Sequence, residues 1–362
     1  MTRLTEIRLE NIRCHPELGT ALEPCDWVVL AGANGSGKTS IMEGIYCAAR
    51  GRSFRSAASA EAIRQGTDLA RILLRAQAET PHVLGMSLQA RQRMVHLDGA
   101  PADLTTIAQA VPVEYLGGDS VRLVQGTPAI RRRFMDWALF HVEPQFLFLW
   151  RHWYRAHRQR NALLKARASS TELAPWTDAV VSYGEAVSRL RAGLVKRLEE
   201  RFSAMDRPPV LRSLDVQFRR GWREASLREA LRQSAAREGQ AGRAVVGPQY
   251  DDWLLAGDGA TASGLSRGQA KLASLMLYRC QAAIMREAGR SPVLLIDDIA
   301  ADLDSGALEA ALRLWADSGL QIWLSMLEED IGLELPGTAL RFHVKPGALF
   351  PAGGACEKRT QT

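Results

Sequence analysis

The feature that most restricts the fold of this chain is a glycine-rich octapeptide, Gly32–Thr39, which fits the pattern G-x-x-x-x-G-K-S/T without a mismatch. The apolar run before it, Trp27–Ala31, predicts a buried strand, and Thr39–Arg50 after it has the apolar spacing of a helix. A strand entering this motif and a helix leaving it are the context in which it binds nucleotide phosphates. The sequence therefore predicts an α/β unit with a phosphate-binding loop, and the alternative is a chance glycine turn.

Each residue type in the loop suits one part of this chemistry. Glycines let backbone N–H groups curl around a phosphate, and the helix N-terminus adds positive potential. Lys38 is the only lysine among the first 164 residues, and its compact ammonium is predicted to contact the β- and γ-phosphates and to take part in catalysis. The Thr39 hydroxyl is predicted to bind Mg²⁺. The predicted nucleotide-binding residues are Gly32, Ala33, Asn34, Gly35, Ser36, Gly37, Lys38, Thr39 and Ser40.

A second motif is the apolar run Val293–Ile296, which is followed directly by Asp297 and Asp298. A buried strand ending in aspartate is how phosphate-loop folds present a metal-directed carboxylate beside the phosphates. We expect Asp297 to hold Mg²⁺, directly or through water, and Asp298 to polarise the attacking water. The alternative is a strand end capped by two solvated acids.

The order of predicted elements indicates the domain organisation. Patterns of β/α units occupy both ends of the chain, and a block of helical patterns separates them. We therefore predict an α/β fold, with a head formed by 1–125 and 205–362 and an inserted, mainly helical domain at 126–204. No apolar run reaches the length of a membrane span, and the first residues lack the apolar core of a signal peptide, so we expect a cytoplasmic protein.

The net charge of +6 is concentrated in one place. The segment 131–167 holds nine basic and two acidic residues, so it accounts for the entire basic excess. Concentrated positive charge on helices is typical of a surface that meets a phosphate backbone, although a solvated helix face is the alternative. The residues predicted to form this nucleic-acid-binding surface are Arg131, Arg132, Arg133, Arg151, Arg155, Arg158 and Arg160. Arg52 and Arg55, outside this segment, would face either the nucleotide or a partner subunit.

The segment Leu265–Gln269 reads LSRGQ and lies between the phosphate loop and the acidic strand end. Taken alone it is a helix start capped by Ser266. It also resembles the LSGGQ signature of ABC-type ATPases, and Asp302 and Asp304 resemble the D-loop of that family. In that family the signature of one subunit contacts the γ-phosphate bound by the other, so the resemblance implies an ATP-dependent homodimer. The implied trans-acting residues are Ser266, Arg267, Gly268 and Gln269.

Within the SMC-like ABC ATPases the chain most resembles the RecF family. The resemblance runs through EIRLENIR, GANGSGKTS, GRSFRS, VQGTPAIRRRFMDWALF, QRNALLK, GPQYDD and LLIDDIAADLD. It implies a weak, DNA-stimulated ATPase that uses ATP and Mg²⁺, clamps double-stranded DNA near gaps or junctions, and aids recombinase loading in repair. The implied partners are DNA, a second copy of the chain, RecR and RecO. An ATP-gated DNA scaffold with negligible turnover and a different SMC-like ABC head remain alternatives.

The chain departs from the pattern of the RecF family at three places. Leu116–Asp119 replaces a Pro-Glu-type acidic turn, Gln249 and Tyr250 replace a His-Arg pair, and Ala301-Asp302 replaces a Ser-Glu pair. The glutamine loop and the switch histidine of many ABC heads have no evident counterpart. Ser325 lies near the position expected for the switch residue.

Overall fold

A computed structural model describes residues 1–56, 59–257 and 260–352 of the chain. Two compact units are present: Met1–Ser120 with Met285–Thr362, and Val121–Ile284. The predicted insertion, 126–204, lies inside the second unit, which continues to Ile284; its assignment as an insertion in a head stays a prediction. The sequence predicts a frayed tail after Pro351, and residues 353–362 of that tail lie outside the described residues. Within the described part of the chain, no helix is long and apolar enough to cross a membrane.

The elements have the following bounds. The strands are β1 Arg3–Ile12, β2 His15–Ala21, β3 Trp27–Ala31, β4 Leu69–Gln77, β5 His82–Gln89, β6 Arg93–Leu97, β7 Ala100–Pro101, β8 Val113–Leu116, β9 Asp215–Arg219, β10 Asp252–Gly257, β11 Ala260–Thr261, β12 Val293–Ile296, β13 Ile322–Met326, β14 Ala339–Lys345 and β15 Ala348–Pro351. The helices are α1 Lys38–Arg50, α2 Leu104–Ala110, α3 Arg122–Gln125, α4 Pro128–Val142, α5 Phe146–Lys165, α6 Ser170–Ala204, α7 Pro209–Arg212, α8 Leu227–Ala241, α9 Arg267–Glu287 and α10 Ser305–Arg313.

The first unit contains two six-stranded sheets. One is antiparallel, in the order β2-β1-β4-β5-β6-β7, and its β1 strand buries Leu4, Ile7, Leu9 and Ile12. Helix α1 packs against this sheet, and its Ile41, Met42 and Ile45 are fully buried in the same core. The sequence predicts a strand or a bent hairpin at Thr2–Arg13, and the structure has the strand β1 there, paired with β2. The helix predicted at Thr39–Arg50 is confirmed as α1.

The second sheet has the order β15-β14-β3-β13-β12-β8, and every pairing from β14 to β8 is parallel. All residues of β3, β12 and β13 are buried, which explains why these strands read as continuous apolar runs instead of alternating patterns. Parallel strands end at the same edge of a sheet. The loops after β3, β8, β12 and β13 therefore meet at one carboxyl edge, where α/β sheets bind their ligands.

The second unit is mainly helical, with α4, α5 and α6 followed by a small antiparallel sheet in the order β11-β10-β9. Pro144 lies between α4 and α5, where the sequence predicts that it opens or breaks a helix. The sequence predicts a strand at Val210–Phe218, and this prediction is wrong in its first half. Pro209 occupies the first position of the short helix α7, because its fixed φ suits a helix start, and the strand begins only at Asp215.

A buried ion-pair network lies at the centre of the second unit. Arg191 on α6 is nearly inaccessible to solvent, and its guanidinium donates to both Asp136 oxygens at 2.8 and 2.9 Å and to Asp251 Oδ2 at 3.2 Å. Ser188 Oγ and the Gly221 N–H complete the shell of Asp251 Oδ1 at 3.1 and 2.9 Å. Asp251 belongs to the GPQYDD segment, so that motif supplies an internal anchor for α6.

Two arginines predicted to bind DNA also belong to the interior of this unit. Arg131 is 4% exposed and donates to both oxygens of Asp252 at 2.7 and 2.8 Å. Arg160 is 5% exposed and donates to Glu238 Oε2 at 2.6 Å and to Thr177 Oγ1 at 3.0 Å. Their charges are neutralised and shielded from solvent, so the prediction that Arg131 and Arg160 contact phosphates is corrected.

The network generates a stability prediction. Arg191→Met should lower the free energy of unfolding by about 3–5 kcal/mol, because it leaves the buried carboxylate of Asp251 without its cation. The matched control is Arg189→Met, which removes an exposed arginine two residues away on the same helix and should change it by less than about 0.5 kcal/mol. Urea unfolding followed by tryptophan fluorescence measures both. Equal midpoints for the two variants would contradict the assigned role of the network.

Candidate nucleotide-binding site and basic helix face

The loop between β3 and α1 has the backbone geometry that its glycines allow. Gly35 and Gly37 have φ values of 80° and 106°, in the left-handed region that favours glycine. A Cβ on Gly32 would lie 2.6 Å from the Val344 carbonyl oxygen, so this position admits no side chain. The predicted phosphate loop is thus a tight nest at the carboxyl end of β3, leading directly into the N-terminus of α1.

The polar side chains of this loop point to a phosphate ligand. Lys38 Nζ donates to the carbonyl oxygens of Gly32 and Ala33 at 2.7 and 2.9 Å, which holds the ammonium over the loop. Burial lowers the pKa of Lys38, and the carboxylates of Asp297, Asp298 and Glu328 oppose that shift. Ser36 Oγ is buried and has no hydrogen-bond partner among the described residues. An ammonium and an orphaned hydroxyl in one nest suit an anionic group.

The carboxylate of Asp297 is held by hydroxyls from three different elements. Thr39 Oγ1, in the first turn of α1, donates to Asp297 Oδ1 at 3.2 Å, and Ser325 Oγ on β13 donates to the same oxygen. Tyr115 on β8 donates its hydroxyl to Asp297 Oδ2 at 3.0 Å. Burial and the carboxylate raise the pKa of Tyr115, so this phenol is a donor. The predicted pair of Mg²⁺ ligands, Thr39 and Asp297, is therefore brought together by the fold.

Magnesium fits this arrangement because the two neighbouring side chains present hard oxygen donors beside a phosphate nest. Asp298, the predicted water-polarising residue, follows at the exposed end of the strand with φ of 53°. Its N–H donates to Ser325 Oγ at 2.8 Å. The hydroxyl of Ser325 therefore connects the two acids, at the position where the sequence suggests a switch residue.

Sequence reasoning missed His15, which lies beneath the phosphate loop. The imidazole is fully buried, and its Nε2 lies 3.1 Å from the Gly37 carbonyl oxygen. Burial lowers the pKa of His15, so the ring is neutral and Nε2–H donates to that carbonyl. A Cβ on Gly37 would lie 2.3 Å from the same nitrogen. His15 thus supports the backbone turn that opens α1.

The GRSFRS segment is tied to α1 from the other side. Glu43 of α1 is fully buried and accepts two hydrogen bonds from Arg13, at 2.7 and 2.9 Å, and one from Ser53 Oγ at 2.5 Å. Arg55 Nη1 lies 3.6 Å from Glu43 Oε2. Arg52 is exposed to solvent. Of the two arginines left open by the sequence, Arg55 is therefore engaged with the phosphate-loop helix, and Arg52 remains on the surface.

The predicted signature residues lie at the N-terminus of α9, in the second unit. Gln269 N–H donates to Ser266 Oγ at 3.3 Å and Ser266 N–H donates to Gln269 Oε1 at 3.0 Å, forming a reciprocal cap. Gln125 Nε2 donates to the carbonyl oxygens of Leu265 and Ala262, at 2.8 and 3.2 Å. The residues Ser266, Arg267 and Gln269 are exposed. This turn is therefore ordered within its unit and presents its polar side chains to solvent.

The remaining predicted site residues are acids and arginines on surfaces. In the D-loop segment, Asp302 has φ of 65°, and Asp304 caps α10 by accepting from Ala307 N–H at 2.8 Å.

Helix α5 contains no acidic residue. The arginines exposed on α4 and α5 are Arg133, Arg151, Arg155 and Arg158, whereas Arg132 is partly buried and donates to the Asp251 carbonyl oxygen at 3.0 Å.

Aromatic side chains accompany the arginines of α5. Tyr154 is 42% exposed and lies between Trp150, stacked at 5.0 Å between ring centroids, and the Arg158 guanidinium, 5.9 Å from its ring centroid. Phe148 is 56% exposed, whereas Phe146 and Trp153 are buried. We name the exposed set Phe148, Arg151, Tyr154, Arg155 and Arg158 the basic helix face.

Solved structures share this fold. One described as the recombination mediator protein RecF-ATP in the RecFOR pathway matches with a TM-score of 0.83 and 18% identity, covering 97% of this chain and 99% of that one. A Smc head domain with an extended coiled coil, bound to the C-terminal domain of ScpA from Pyrococcus furiosus, matches with a TM-score of 0.57 and 13% identity, covering 97% and 96%. At these identities the likeness shows the fold, which is the predicted α/β ABC-type head.

Sequence comparisons give the family. The DNA replication and repair protein RecF of Stenotrophomonas maltophilia is 36% identical over 332 residues, covering 88% of this chain and 91% of that protein. RecF of Coxiella burnetii is 34% identical over 324 residues, covering 87% and 90%. The family model described as RecF/RecN/SMC N terminal domain matches residues 3–331. The chain therefore belongs to the RecF family, within the wider RecF/RecN/SMC group.

Proposed function

We propose that the protein is an ATP-dependent DNA-binding recombination mediator of the RecF type. Two copies close around ATP and Mg²⁺, clamp double-stranded DNA near gaps or junctions, and release it on slow hydrolysis. This activity would aid recombinase loading in repair. The observation that carries the proposal is the single carboxyl edge where the phosphate nest, the Thr39–Asp297 pair and Asp298 meet.

Binding of ATP is supported by the nest and by the Lys38 ammonium above it. Mg²⁺ would be held by Thr39 and Asp297 and would supply charge neutralisation at the β- and γ-phosphates. Asp298, which is exposed at the strand end, would polarise the attacking water. A solved relative of this fold is described as RecF with ATP, which agrees with the same ligand here.

The dimer is supported by the exposed signature turn. Ser266 and Gln269 cap a helix N-terminus, which favours an anion, and their side chains face solvent. In the ABC-type ATPases whose signature this segment resembles, the signature of one subunit contacts the γ-phosphate bound by the other. We therefore assign Ser266, Arg267, Gly268 and Gln269 to the trans contact, with Asp302 and Asp304 as the D-loop, and RecR and RecO as further partners.

DNA binding is supported by the basic helix face. Arg151, Arg155 and Arg158 are spaced i, i+4, i+7, so they share one side of α5, and the sequence of that helix contains no acidic residue. Contacts of this kind neutralise phosphates without reading bases. Arg132 and Arg133 on α4 would extend the same kind of contact.

A second candidate function is a DNA-binding scaffold gated by ATP, with negligible turnover. Ser325 favours it, because a hydroxyl already bonded to Asp297 and to the Asp298 N–H takes the place of a switch imidazole. Rates of phosphate release with and without DNA distinguish the two: slow release stimulated by DNA supports the mediator, and none supports the scaffold.

The first prediction from the proposed function concerns Lys38. Lys38→Met should weaken ATP binding by about 10- to 100-fold or more, because charge-assisted hydrogen bonds to the phosphates are lost. Lys345→Met, on an exposed position of β14 in the same unit, is the control and should bind ATP normally. Calorimetric titration measures both. Normal ATP affinity in the Lys38 variant would contradict the assignment of this loop to phosphate binding.

The second prediction concerns Asp298. Asp298→Asn should trap an ATP-bound dimer, because the amide cannot accept a proton from the attacking water. Asp317→Asn is a close control, since Asp317 is also an exposed aspartate of the same unit, with φ of 52°. Size-exclusion chromatography with light scattering at saturating ATP reports the outcome. A monomeric Asp298 variant would rule out the composite site.

The third prediction concerns the basic helix face. Changing Arg151, Arg155 and Arg158 together to Gln should reduce the slope of log K against log salt for duplex DNA by about 2–3 units, close to 0.9 per lost phosphate contact. The control removes the same charge from three other exposed arginines of this unit, Arg189, Arg232 and Arg237. An unchanged slope in the α5 variant, or an equal loss in the control, would place the DNA surface elsewhere.

A further inference from the structure

Tyr115 makes a contact at the nucleotide site that the sequence motifs do not contain. Its hydroxyl donates to Asp297 Oδ2 at 3.0 Å, on the side of the carboxylate opposite the oxygen shared by Thr39 and Ser325. Strands β8 and β12 pair in parallel with Tyr115 in register with Leu295, two residues before Asp297. The backbone therefore fixes where this hydroxyl reaches the carboxylate.

The ring of Tyr115 is locked in place by two other aromatic side chains. Phe54, in the GRSFRS segment, stacks on it with 3.5 Å between centroids and 8° between planes. Tyr46 of α1 meets both rings edge-on, at 6.2 Å from Tyr115 and 5.4 Å from Phe54. Face-to-face stacking on Phe54 and the edge-on contact with Tyr46 restrict the ring to one orientation, because side chains in a close-packed interior have little room to turn. The hydroxyl is thus presented to Asp297 without freedom to swing away.

Gly117 gives the hydroxyl the room it needs. A Cβ on Gly117 would lie 2.3 Å from the Tyr115 hydroxyl oxygen, whereas a Cβ on Gly118 would meet nothing within 4 Å. Gly117 lies in the turn where this chain departs from the acidic turn of its family. The departure and the tyrosine are therefore sterically linked: a side chain at position 117 would displace the phenol from the carboxylate.

We propose that Tyr115 is a positioning residue for the carboxylate of Asp297, and that Gly117 is the residue that makes this hydrogen bond sterically possible. The inference rests on the proposed binding of ATP with Mg²⁺. A carboxylate with one oxygen held by Tyr115 keeps a fixed orientation toward the cation, as groups that hydrogen-bond to metal ligands commonly do. Through Phe54 the same tyrosine joins the GRSFRS segment to the metal side of the site.

The test compares ATP affinity with Mg²⁺ and with EDTA in the full chain. Tyr115→Phe keeps the stacked ring and loses only the hydroxyl. We expect its half-saturating Mg²⁺ concentration for ATP binding to rise about 10- to 100-fold, with affinity in EDTA unchanged. Tyr46→Phe removes a hydroxyl from the same aromatic cluster and should match the unmodified protein. A purely structural role would lower the melting temperature in EDTA without moving the Mg²⁺ dependence.

A second pair of variants, at two neighbouring glycines, keeps the proposal testable if Tyr115→Phe fails to fold. Gly117→Ala should shift the Mg²⁺ dependence in the same direction, and Gly118→Ala should not. An unchanged Mg²⁺ dependence in Tyr115→Phe would overturn the positioning role. If Tyr115→Phe does not fold, an unchanged Mg²⁺ dependence in Gly117→Ala would overturn it instead. Failure of the unmodified protein to bind ATP, or to respond to Mg²⁺, would instead overturn the proposed function.

Discussion

The carboxylate of Asp297 is the point on which the first unit depends. It lies at the end of a fully buried strand, yet its two oxygens accept hydrogen bonds from α1, β8 and β13. Hydrogen bonds to a buried charged group contribute about 1.5–3 kcal/mol each, and the cost of leaving that group unsatisfied is larger. Correct pairing of the parallel strands and correct placement of the phosphate loop are therefore required together. The same hydrogen bonds that orient Asp297 in the proposed nucleotide site also help to specify the fold around it.

In the second unit, buried ion pairs hold segments that are distant in the chain in place. Arg191, Arg131 and Arg160 are each buried against carboxylates that lie far away along the chain. These pairs connect α4, α5 and α6 to the start of β10 and to α8. Burying an unpaired charge is costly, so each buried arginine requires its acidic partner and each buried carboxylate requires its arginine. Helix α5 is anchored in this way on one side, by Arg160, and the arginines on its other side face solvent.

The sequence predicted the parts of the site whose residues are neighbours in the chain. The phosphate loop and the acidic strand end can each be recognised from a short sequence motif, and the buried strands around them are apolar throughout. Tyr115 and His15 were missed because their importance comes from contacts 182 and 22 residues away, with no local motif. The same reason explains the error over Arg131 and Arg160, whose acidic partners lie 121 and 78 residues away. Net charge by segment counts these arginines but does not reveal which of them are neutralised.

We propose that ATP assembles two copies of this chain on DNA. Sedimentation velocity of the unmodified protein, with and without ATP, Mg²⁺ and a gapped duplex, tests it most directly. We expect a monomer without nucleotide, a dimer with ATP and Mg²⁺, and a dimer that co-sediments with the duplex. A species whose mass does not change with ATP, whether or not DNA is present, would contradict it.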